Sequence, residues 1–249
     1  MPAYIQPTSL IPDNELARLR TLYQYQILNT IPEKIFDDYV ALAAQLFNLP
    51  ISLISLVDAE AVFFKANVGL PGLESVPRAD SLCSAAVLEN MPVLFPDLRQ
   101  QRCDLVNPAV AESAGLRAYA GAPLRTAEGN IGTLCVIGRE AREFTEGESQ
   151  LLARLAGLVT LTIELRGRLL SHGGEEHWQR AQHELRGYLH ESSTLARYLA
   201  ARTNGAAFFS EEVQQTVDRR LDAIEQALRR LLARAAAAPE AASAQQTSK

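Results

Sequence analysis

The four histidines are the first candidates for chemistry. All of them lie after residue 171 of this 249-residue chain. They are His172, His177, His183 and His190. With Trp178 and Leu185 at successive a positions of a heptad, His183 falls at position f and faces water. An exposed imidazole suits in-line phosphoryl transfer, because donor and acceptor must reach it from outside the helices. A solvated surface histidine is the simpler interpretation, and the residues alone leave both open.

A metal site is not expected on this helix. His183 and His190 stand seven residues apart, whereas ligands on one helix usually stand three or four apart. The three cysteines also lack metal-ligand spacing. We therefore predict no metal site.

The three cysteines are the other reactive side chains. Cys103 lies in a polar stretch and is the best candidate for a redox-responsive thiol, with an ordinary exposed cysteine as the simpler interpretation. Cys83 and Cys135 are predicted to be small buried residues. An odd number of cysteines without metal spacing fits free thiols in a reducing compartment, so we expect a cytoplasmic protein.

The elements that would position these residues begin with a mixed α/β region. Helical periodicity covers about 14–26, and a second helix runs to Phe47 with Thr30 and Glu33 as a capping box. Five strands, one helix and two loops follow. The strands are predicted at Ile51–Val57, Val62–Val68, Pro92–Phe95, Ala118–Thr126 and Ile131–Arg139, the helix at Ser81–Asn90, and the loops at Gly69–Arg78 and Asp97–Leu116. Non-parallel pairing of the strands, with the helices outside the sheet, indicates an α+β fold.

An all-helical region completes the chain. The stretch 145–174 carries apolar residues at 4-3-4 spacing from Leu151 to Leu169, the pattern of a signalling or coiled-coil helix. Gly173-Gly174 breaks it. Two amphipathic helices then form a hairpin over 175–235, with a turn near 203–205 and Ser210 as a cap. Because one hairpin buries only one face, we expect it to dimerise into a four-helix bundle. The Ala/Ser/Gln-rich tail 236–249 is predicted to be disordered.

Charge and hydropathy exclude several classes of protein. The net charge of −5 and the lack of a basic stripe argue against a nucleic-acid partner. No apolar run approaches the ~20 residues that span a bilayer, so no membrane association is expected. The N-terminus lacks the basic and apolar regions of a signal peptide.

Seven segments between residues 16 and 165 resemble the GAF domain, in its bacterial sensor subtype. They are Ile27–Glu33, Phe36-Asp37, Pro50–Asp58, Phe63–Ala66, Ser81–Cys83, Tyr119–Leu124 and Gly132–Ile137. The resemblance implies an antiparallel sheet of about six strands, with helices on one face and a small-molecule pocket on the other. By that resemblance the pocket lies under the Asp97–Leu116 loop. Phe64, Cys83, Arg102, Asp104, Tyr119 and Thr133 are the candidate ligand-binding residues, with Arg99 beside them.

Departures from the family pattern limit the ligand. Members that bind a linear tetrapyrrole carry a Cys-His pair, but Ser84 follows Cys83 here, so a bilin is not expected. A His-ligated haem in this domain is not expected either, because no histidine precedes His172. The ligand and any cofactor stay unknown. One GAF-fold family reduces free methionine sulfoxide, but its paired cysteine pattern is not found.

The sequence His183-Glu184-Leu185-Arg186 resembles the H-box of sensor histidine kinases. By that resemblance His183 accepts the phosphoryl group and Glu184 polarises it. Tyr188 stands where a proline is usual, and no ATP-binding kinase domain follows in this sequence. Autophosphorylation in isolation is therefore not expected.

We predict a cytoplasmic signal-transduction protein in which a GAF sensor controls a dimeric helical hairpin. The predicted units are 12–166 for the sensor, 145–174 for the signalling helix, 175–235 for the hairpin and 236–249 for the tail. The expected partners are a second copy, an unknown small molecule, and a response regulator or separate histidine kinase. The alternatives are a non-catalytic dimerisation adaptor, and a GAF-fold redox enzyme that acts through Cys103.

Overall fold

A six-stranded antiparallel sheet lies at the centre of the computed structural model, which describes residues 7–171, 174–203 and 211–246. Its strands are β1 (Ile51–Val57), β2 (Ala61–Val68), β3 (Ser75–Pro77), β4 (Val93–Phe95), β5 (Ala118–Thr126) and β6 (Gly129–Gly138). Their order across the sheet is β3-β2-β1-β6-β5-β4. The fold is α+β, as the sequence predicts. The three-residue β3 lies inside the predicted loop, because so short an edge strand shows no periodicity.

Helices flank this sheet and follow it. They are α1 (Glu15–Gln24), α2 (Lys34–Phe47), α3 (Cys83–Ala86), α4 (Pro108–Ser113), α5 (Glu146–Ser171), α6 (Glu175–Thr203) and α7 (Glu211–Gln246), with a 3₁₀ turn at Arg78–Asp80. The helix predicted over 81–90 is thus reduced to four residues. The reason lies in Asn130, whose Nδ2 donates to the carbonyls of Val87 and Glu89 at 3.0 and 2.9 Å.

The capping box predicted for α2 is wrong. Thr30 Oγ1 donates to the carbonyl of Ile27 at 2.8 Å, and Glu33 occupies the N-cap position without a side-chain cap hydrogen bond. The carboxylate of Glu33 is engaged elsewhere, by Lys65 and Arg166. A buried cation outcompetes a backbone amide for that carboxylate, because charge-assisted hydrogen bonds are the stronger ones.

The two faces of the sheet bury separate apolar clusters, since successive side chains of a strand point to opposite faces. Ile54, Ala120 and Leu134 face the cluster that includes residues of α2 and α5. Their chain neighbours Leu53, Tyr119 and Cys135 face the other cluster, beneath α3 and the loop 97–116. The sheet is therefore a shared wall between a helical layer and a loop-covered layer.

The C-terminal hairpin folds back onto the helical layer. Arg186 on α6 pairs with Asp38 on α2 at 2.6 Å, and Arg154 on α5 pairs with Asp218 on α7 at 2.6 Å. Trp178, Leu185, Leu221, Ile224 and Leu228 join the same buried cluster as the helices of the first region. Helices α2, α5, α6 and α7 thus form a four-helix bundle within one chain.

The heptad seam of α5 is buried inside this bundle. Leu155 and Leu165 are fully covered, and Thr162 Oγ1 lies 2.9 Å from the hydroxyl of Tyr39 on α2. The apolar faces that led to the expectation of a dimer are therefore covered by the chain's own helices. Dimerisation itself stays a prediction.

The chain reverses between α5 and α6, where the glycine pair was predicted to break the helix. α5 ends at Ser171 and α6 begins at Glu175. Gly174 donates from its amide to the Leu169 carbonyl at 3.1 Å and accepts from the Trp178 amide at 2.9 Å. His172 and Gly173 lie outside the described residues, as do the predicted turn at 204–205 and the Ser210 cap.

The predicted disordered tail differs from the structure. Helix α7 continues through 236–246, while 247–249 lie outside the described residues. Alanine has the highest helix propensity of any residue, which favours helix in this stretch, whereas Pro239 within it opposes helix. Among the helices that the structure describes, none is both long and apolar enough to cross a bilayer.

Candidate functional site

A cavity of about 1000 Å³ lies on the face of the sheet opposite the helical bundle. Its floor is formed by strand side chains, namely Leu53 of β1, Phe64 of β2, Tyr119 of β5 and Ile137 of β6. Its walls come from the segments 69–73 and 98–117, which include α4. The floor is mostly apolar, as in most small-molecule sites.

Polar contacts hold the long loop over this cavity. The guanidinium of Arg117 donates to both carboxylate oxygens of Asp97, at 2.9 and 2.7 Å, and lowers the pKa of Asp97 to about 2. Asn107 Oδ1 accepts from the Ala109 amide at 3.1 Å and so caps α4, while its Nδ2 donates to Asp80 at 3.0 Å. The loop is therefore held at its two ends by the Asp97–Arg117 pair and at its middle by Asn107.

Basic side chains surround the mouth of the cavity. The lining includes Arg99, Arg102, Arg117 and Arg139, and the acidic residues Asp80 and Glu112. Arg102 lies 4.0 Å from Glu112, and both side chains are mostly exposed, so this ion pair contributes little stability. An apolar floor with a cationic rim suits an amphiphilic molecule that carries an anionic group.

A cluster of thiols and hydroxyls lies at the floor. Cys83 Sγ accepts hydrogen bonds from Ser55 Oγ at 3.0 Å and from the hydroxyl of Tyr119 at 3.6 Å, and it lies 3.9 Å from Cys135 Sγ. Thr133 Oγ1 donates to Ser55 Oγ at 3.4 Å. All five side chains are buried.

Hydrogen bonds determine which side chain of this cluster loses its proton first. The hydrogen bond from Cys135, supported by those from Ser55, Thr133 and Tyr119, lowers the pKa of Cys83 to about 6, although burial opposes the shift. The same contact with Cys83, together with burial, raises the pKa of Cys135 well above its usual value. Burial and the neighbouring thiols raise the pKa of Tyr119. Cys83 is therefore the group that gives up a proton first.

The structure brings four of the six predicted ligand-binding residues to the cavity. Phe64, Cys83, Arg102 and Tyr119 line it. Thr133 is buried beneath the floor, and Asp104 is exposed outside the lining.

The interpretation of Cys103 as an exposed thiol is wrong. Cys103 is fully buried, and it packs with Leu98 and Val106 in the apolar cluster under the loop. The loop is polar in composition, but its Leu98, Cys103 and Val106 turn inward to cover the cavity. Cys83 and Cys135 are buried as predicted.

A buried ionic cluster on the other face connects the sheet to the hairpin. The carboxylate of Glu33 pairs with Lys65 Nζ of β2 at 2.7 Å and with Arg166 Nε of α5 at 2.9 Å. It also accepts a hydrogen bond from Trp178 Nε1 of α6 at 2.7 Å. Burial lowers the pKa of Lys65, and the pairing with Glu33 opposes that shift. One carboxylate therefore holds a strand and two helices together.

The predicted phosphotransfer residues lie on α6, apart from the cavity. The imidazole of His183 is exposed, as its f position predicts. The carboxylate of Glu184 pairs with Arg230 of α7 at 2.7 Å. Leu185 is fully buried in the bundle, and Arg186 pairs with Asp38. The four residues of this motif thus have four different surroundings.

Sequence reasoning missed the partners that define both clusters. Ser55 reads as part of an apolar strand, yet a small hydroxyl residue inside a fully buried strand was a signal for an internal hydrogen bond. The spacing predicts a helix cap at Glu33, and neither Arg166 nor Lys65 is predicted to pair with it. A lysine or arginine in a buried strand or a heptad seam is rarely buried without an acidic partner. That rule is the signal that could have predicted the pairing of Lys65 and Arg166 with an acid.

Comparisons with known proteins identify the family of this chain. A cyclic di-GMP phosphodiesterase of Pseudomonas aeruginosa is 36% identical over 154 residues, which are 61% of this chain and 26% of that protein. The chain thus matches about a quarter of the length of this relative. Two of the similar solved structures are the GAF domain of an Acinetobacter phosphoenolpyruvate-protein phosphotransferase (18% identity, TM-score 0.46, 64% of this chain and 96% of that one) and a free methionine-R-sulfoxide reductase of Neisseria meningitidis with its substrate (18%, 0.47, 68% and 99%). The model of the GAF domain matches residues 32–163, more than half of the sequence, and the chain therefore belongs to the GAF domain family.

Proposed function

We propose that this chain is a signal-transduction module in which a small molecule bound in the cavity changes how the C-terminal hairpin packs on the sensor domain. The cavity and the hairpin lie on opposite faces of the same sheet. A ligand would act by favouring one arrangement of the bundle over another, since it can shift an equilibrium only by its differential affinity.

One observation carries this proposal. Phe64 lines the cavity, and the next residue of β2, Lys65, reaches Glu33 on the opposite face. Glu33 in turn accepts the hydrogen bond of Trp178 on α6. A shift of β2 at the cavity is thus transmitted to the start of the hairpin through two polar contacts, Lys65 with Glu33 and Glu33 with Trp178.

The relative from Pseudomonas supports the class of function and not a particular ligand. Its name assigns it to cyclic di-GMP turnover, and the shared part is 26% of its length. A sensor domain that regulates a signalling output fits both proteins. The apolar floor and basic rim of this cavity favour an amphiphilic anion.

Anilinonaphthalene sulfonate, an apolar aryl anion, is a suitable probe for the test. We expect it to bind with one-to-one stoichiometry, and Leu70→Glu in the cavity wall to weaken binding because it adds a like charge. Leu16→Glu, at a residue that is 83% exposed on α1, is the matched control and leaves binding unchanged.

Hydrogen exchange followed by mass spectrometry then measures the coupling. The probe is expected to change exchange in the peptides that cover 175–190 of α6. Lys65→Met retains binding but abolishes that distant change, because the contact with Glu33 is lost. If the bound probe alters exchange only in the loops around the cavity, the coupling proposal is refuted.

Phosphoryl transfer at His183 is the output that we propose, with a response regulator or separate histidine kinase as partner and a second copy as dimerisation partner. The exposed imidazole on α6 supports it. Incubation with phosphoramidate, followed by mass spectrometry of the peptides, should label wild type and His190→Ala but not His183→Ala. His190 is an equally exposed histidine of α6 and serves as the control. Equal labelling of His183→Ala, or none in wild type, would favour the non-catalytic adaptor.

A further inference from the structure

Two buried thiols from different elements meet at the floor of the cavity. Cys83 belongs to α3 and Cys135 to the central strand β6, 52 residues apart in sequence, and their sulfurs lie 3.9 Å apart. Both are free thiols. A disulfide needs the sulfurs at about 2.0 Å, so closure requires side-chain rotation and a small movement of the four-residue α3.

The surroundings of Cys83 are those of a reactive thiol rather than of a packing residue. A cysteine that only fills space needs no polar partner, whereas the hydroxyls of Ser55 and Tyr119 both donate to Cys83 Sγ. These donors, with Cys135, stabilise the negative sulfur and lower its pKa. The thiolate is the nucleophilic form of cysteine.

The two sulfurs differ in access. Cys83 lines the cavity and is 2% exposed, whereas Cys135 does not line it and is fully covered. A small molecule entering the cavity therefore meets Cys83 first. The contact with Cys83 and burial raise the pKa of Cys135, so Cys135 keeps its proton more tightly than Cys83 does.

We propose that Cys83 and Cys135 form a hydroperoxide-responsive dithiol, in which Cys83 is the attacking residue and Cys135 the resolving residue. The proposal rests on the sulfur-to-sulfur distance, the hydroxyl donors and the position at the cavity floor. It does not depend on whether the cavity also takes a reversible ligand.

The chemistry balances with a hydroperoxide as the only oxidant. The Cys83 thiolate attacks the terminal oxygen, the O–O bond breaks, and the departing alkoxide or hydroxide takes up the proton that the thiol had released. The product is a sulfenic acid on Cys83. Cys135 Sγ then attacks this sulfur, the S–S bond forms, the S–O bond breaks, and the hydroxyl leaves as water with the proton of Cys135. Two thiols lose two electrons and one peroxide bond gains them.

The first test is made on the full-length wild-type protein. Hydrogen peroxide should remove two hydrogen masses, and proteolysis without reduction should yield a peptide that joins Cys83 to Cys135. Dithiothreitol should restore the free thiols, and circular dichroism should show that the protein stays folded throughout. Oxidation of Cys103 before the other two, or no thiol oxidation in the folded protein, would overturn the proposal.

Three variants assign the roles. Cys103→Ser removes the third thiol, which also lines the cavity, and should still form the Cys83–Cys135 disulfide. Cys135→Ser should stop at a sulfenic acid on Cys83 that dimedone captures. Cys83→Ser should lose peroxide sensitivity at Cys135. If wild type itself stops at Cys83 sulfenic or sulfinic acid without a disulfide, Cys135 is not a resolving residue and the dithiol is refuted.

Discussion

The indole N–H of Trp178 donates a 2.7 Å hydrogen bond to the carboxylate of Glu33. This contact joins the first turn of α6 to the N-cap of α2, and both side chains are buried or nearly so. Because Arg166 and Lys65 pair with the same carboxylate, the start of the hairpin is held by an ionic cluster that also anchors the sheet.

Removal of the shared carboxylate should be severe. Glu33→Ala leaves two buried cations without their acid, and we expect the free energy of unfolding to fall by about 3–5 kcal/mol. Trp178→Phe removes one hydrogen bond to a charged group and should cost about 2 kcal/mol. Urea denaturation measures both. Glu164→Ala, which breaks an exposed i,i+4 pair with Arg168, is the control and should cost less than about 0.5 kcal/mol. Similar losses for Glu33→Ala and Glu164→Ala would contradict the importance of the cluster.

Substitutions at two residues of the histidine motif should differ greatly in their effect on stability. Leu185→Ala opens a cavity in the bundle and should lower the free energy of unfolding by about 2–5 kcal/mol, because Leu185 is fully buried. His183→Ala, at an exposed position, should change it by less than about 0.5 kcal/mol. Thermal and urea unfolding check both values. A large loss for His183→Ala would mean that the imidazole has a structural role, and its labelling experiment would need a different variant.

Alanine substitutions at Gly174, just before α6, and at Gly187, within α6, should have opposite effects on stability. A Cβ at Gly187 would meet nothing within 4 Å, so Gly187→Ala should stabilise the protein by about 0.5–1 kcal/mol through helix propensity. A Cβ at Gly174 would lie 2.7 Å from the Leu169 carbonyl oxygen, so Gly174→Ala should destabilise the reversal between α5 and α6. Differential scanning calorimetry compares the two. A stabilising Gly174→Ala would mean that the helices prefer to continue without a break.

The reactivity of Cys83 should follow pH in a distinctive way. Because hydrogen bonds lower the pKa of Cys83 to about 6, its rate of alkylation by iodoacetamide should rise through that pH and level off near neutrality. An unperturbed thiol, with a pKa of about 8.5, would still be gaining rate at neutral pH. The titratable side chains that face Cys83 are Tyr119 and Cys135, and both stay protonated in this range because their pKa values are raised.

A Cys103→Ser background isolates the signal of Cys83. Adding Cys135→Ala should move the midpoint toward the ordinary thiol value, because it removes the largest stabilising hydrogen bond. The same midpoint with and without Cys135 would show that the two thiols are not coupled.

Local patterns were enough to predict the layers of the fold. β1 and β5 have the predicted bounds, since an apolar β-branched run and a run before a glycine-containing turn are strong local signals. The exposed position of His183 and the buried face of α6 followed from heptad spacing. Each of these features depends on residues that are neighbours in sequence.

The features that the sequence concealed depend on pairs that are far apart. Glu33 and Trp178 are 145 residues apart, and Ser55 and Thr133 are 78 apart. Heptad spacing identified the apolar faces of α5 and α6 but not the helices that would cover them. The apolar residues of the alanine-rich tail have no helical periodicity, so the sequence does not predict that α7 continues through it.

The docking of α6 and α7 on α2 and α5 competes with any other use of the same apolar surface. The apolar surface that a hairpin would offer to a second copy is the surface that holds it to its own sensor, and it can be covered only once. If the proposed dimer forms through this surface, release from the sensor and pairing with another chain are linked equilibria: anything that loosens the docked state would lower the concentration at which two chains associate. Under that proposal, protein concentration would itself be an input, and the sensor would act as the intramolecular competitor.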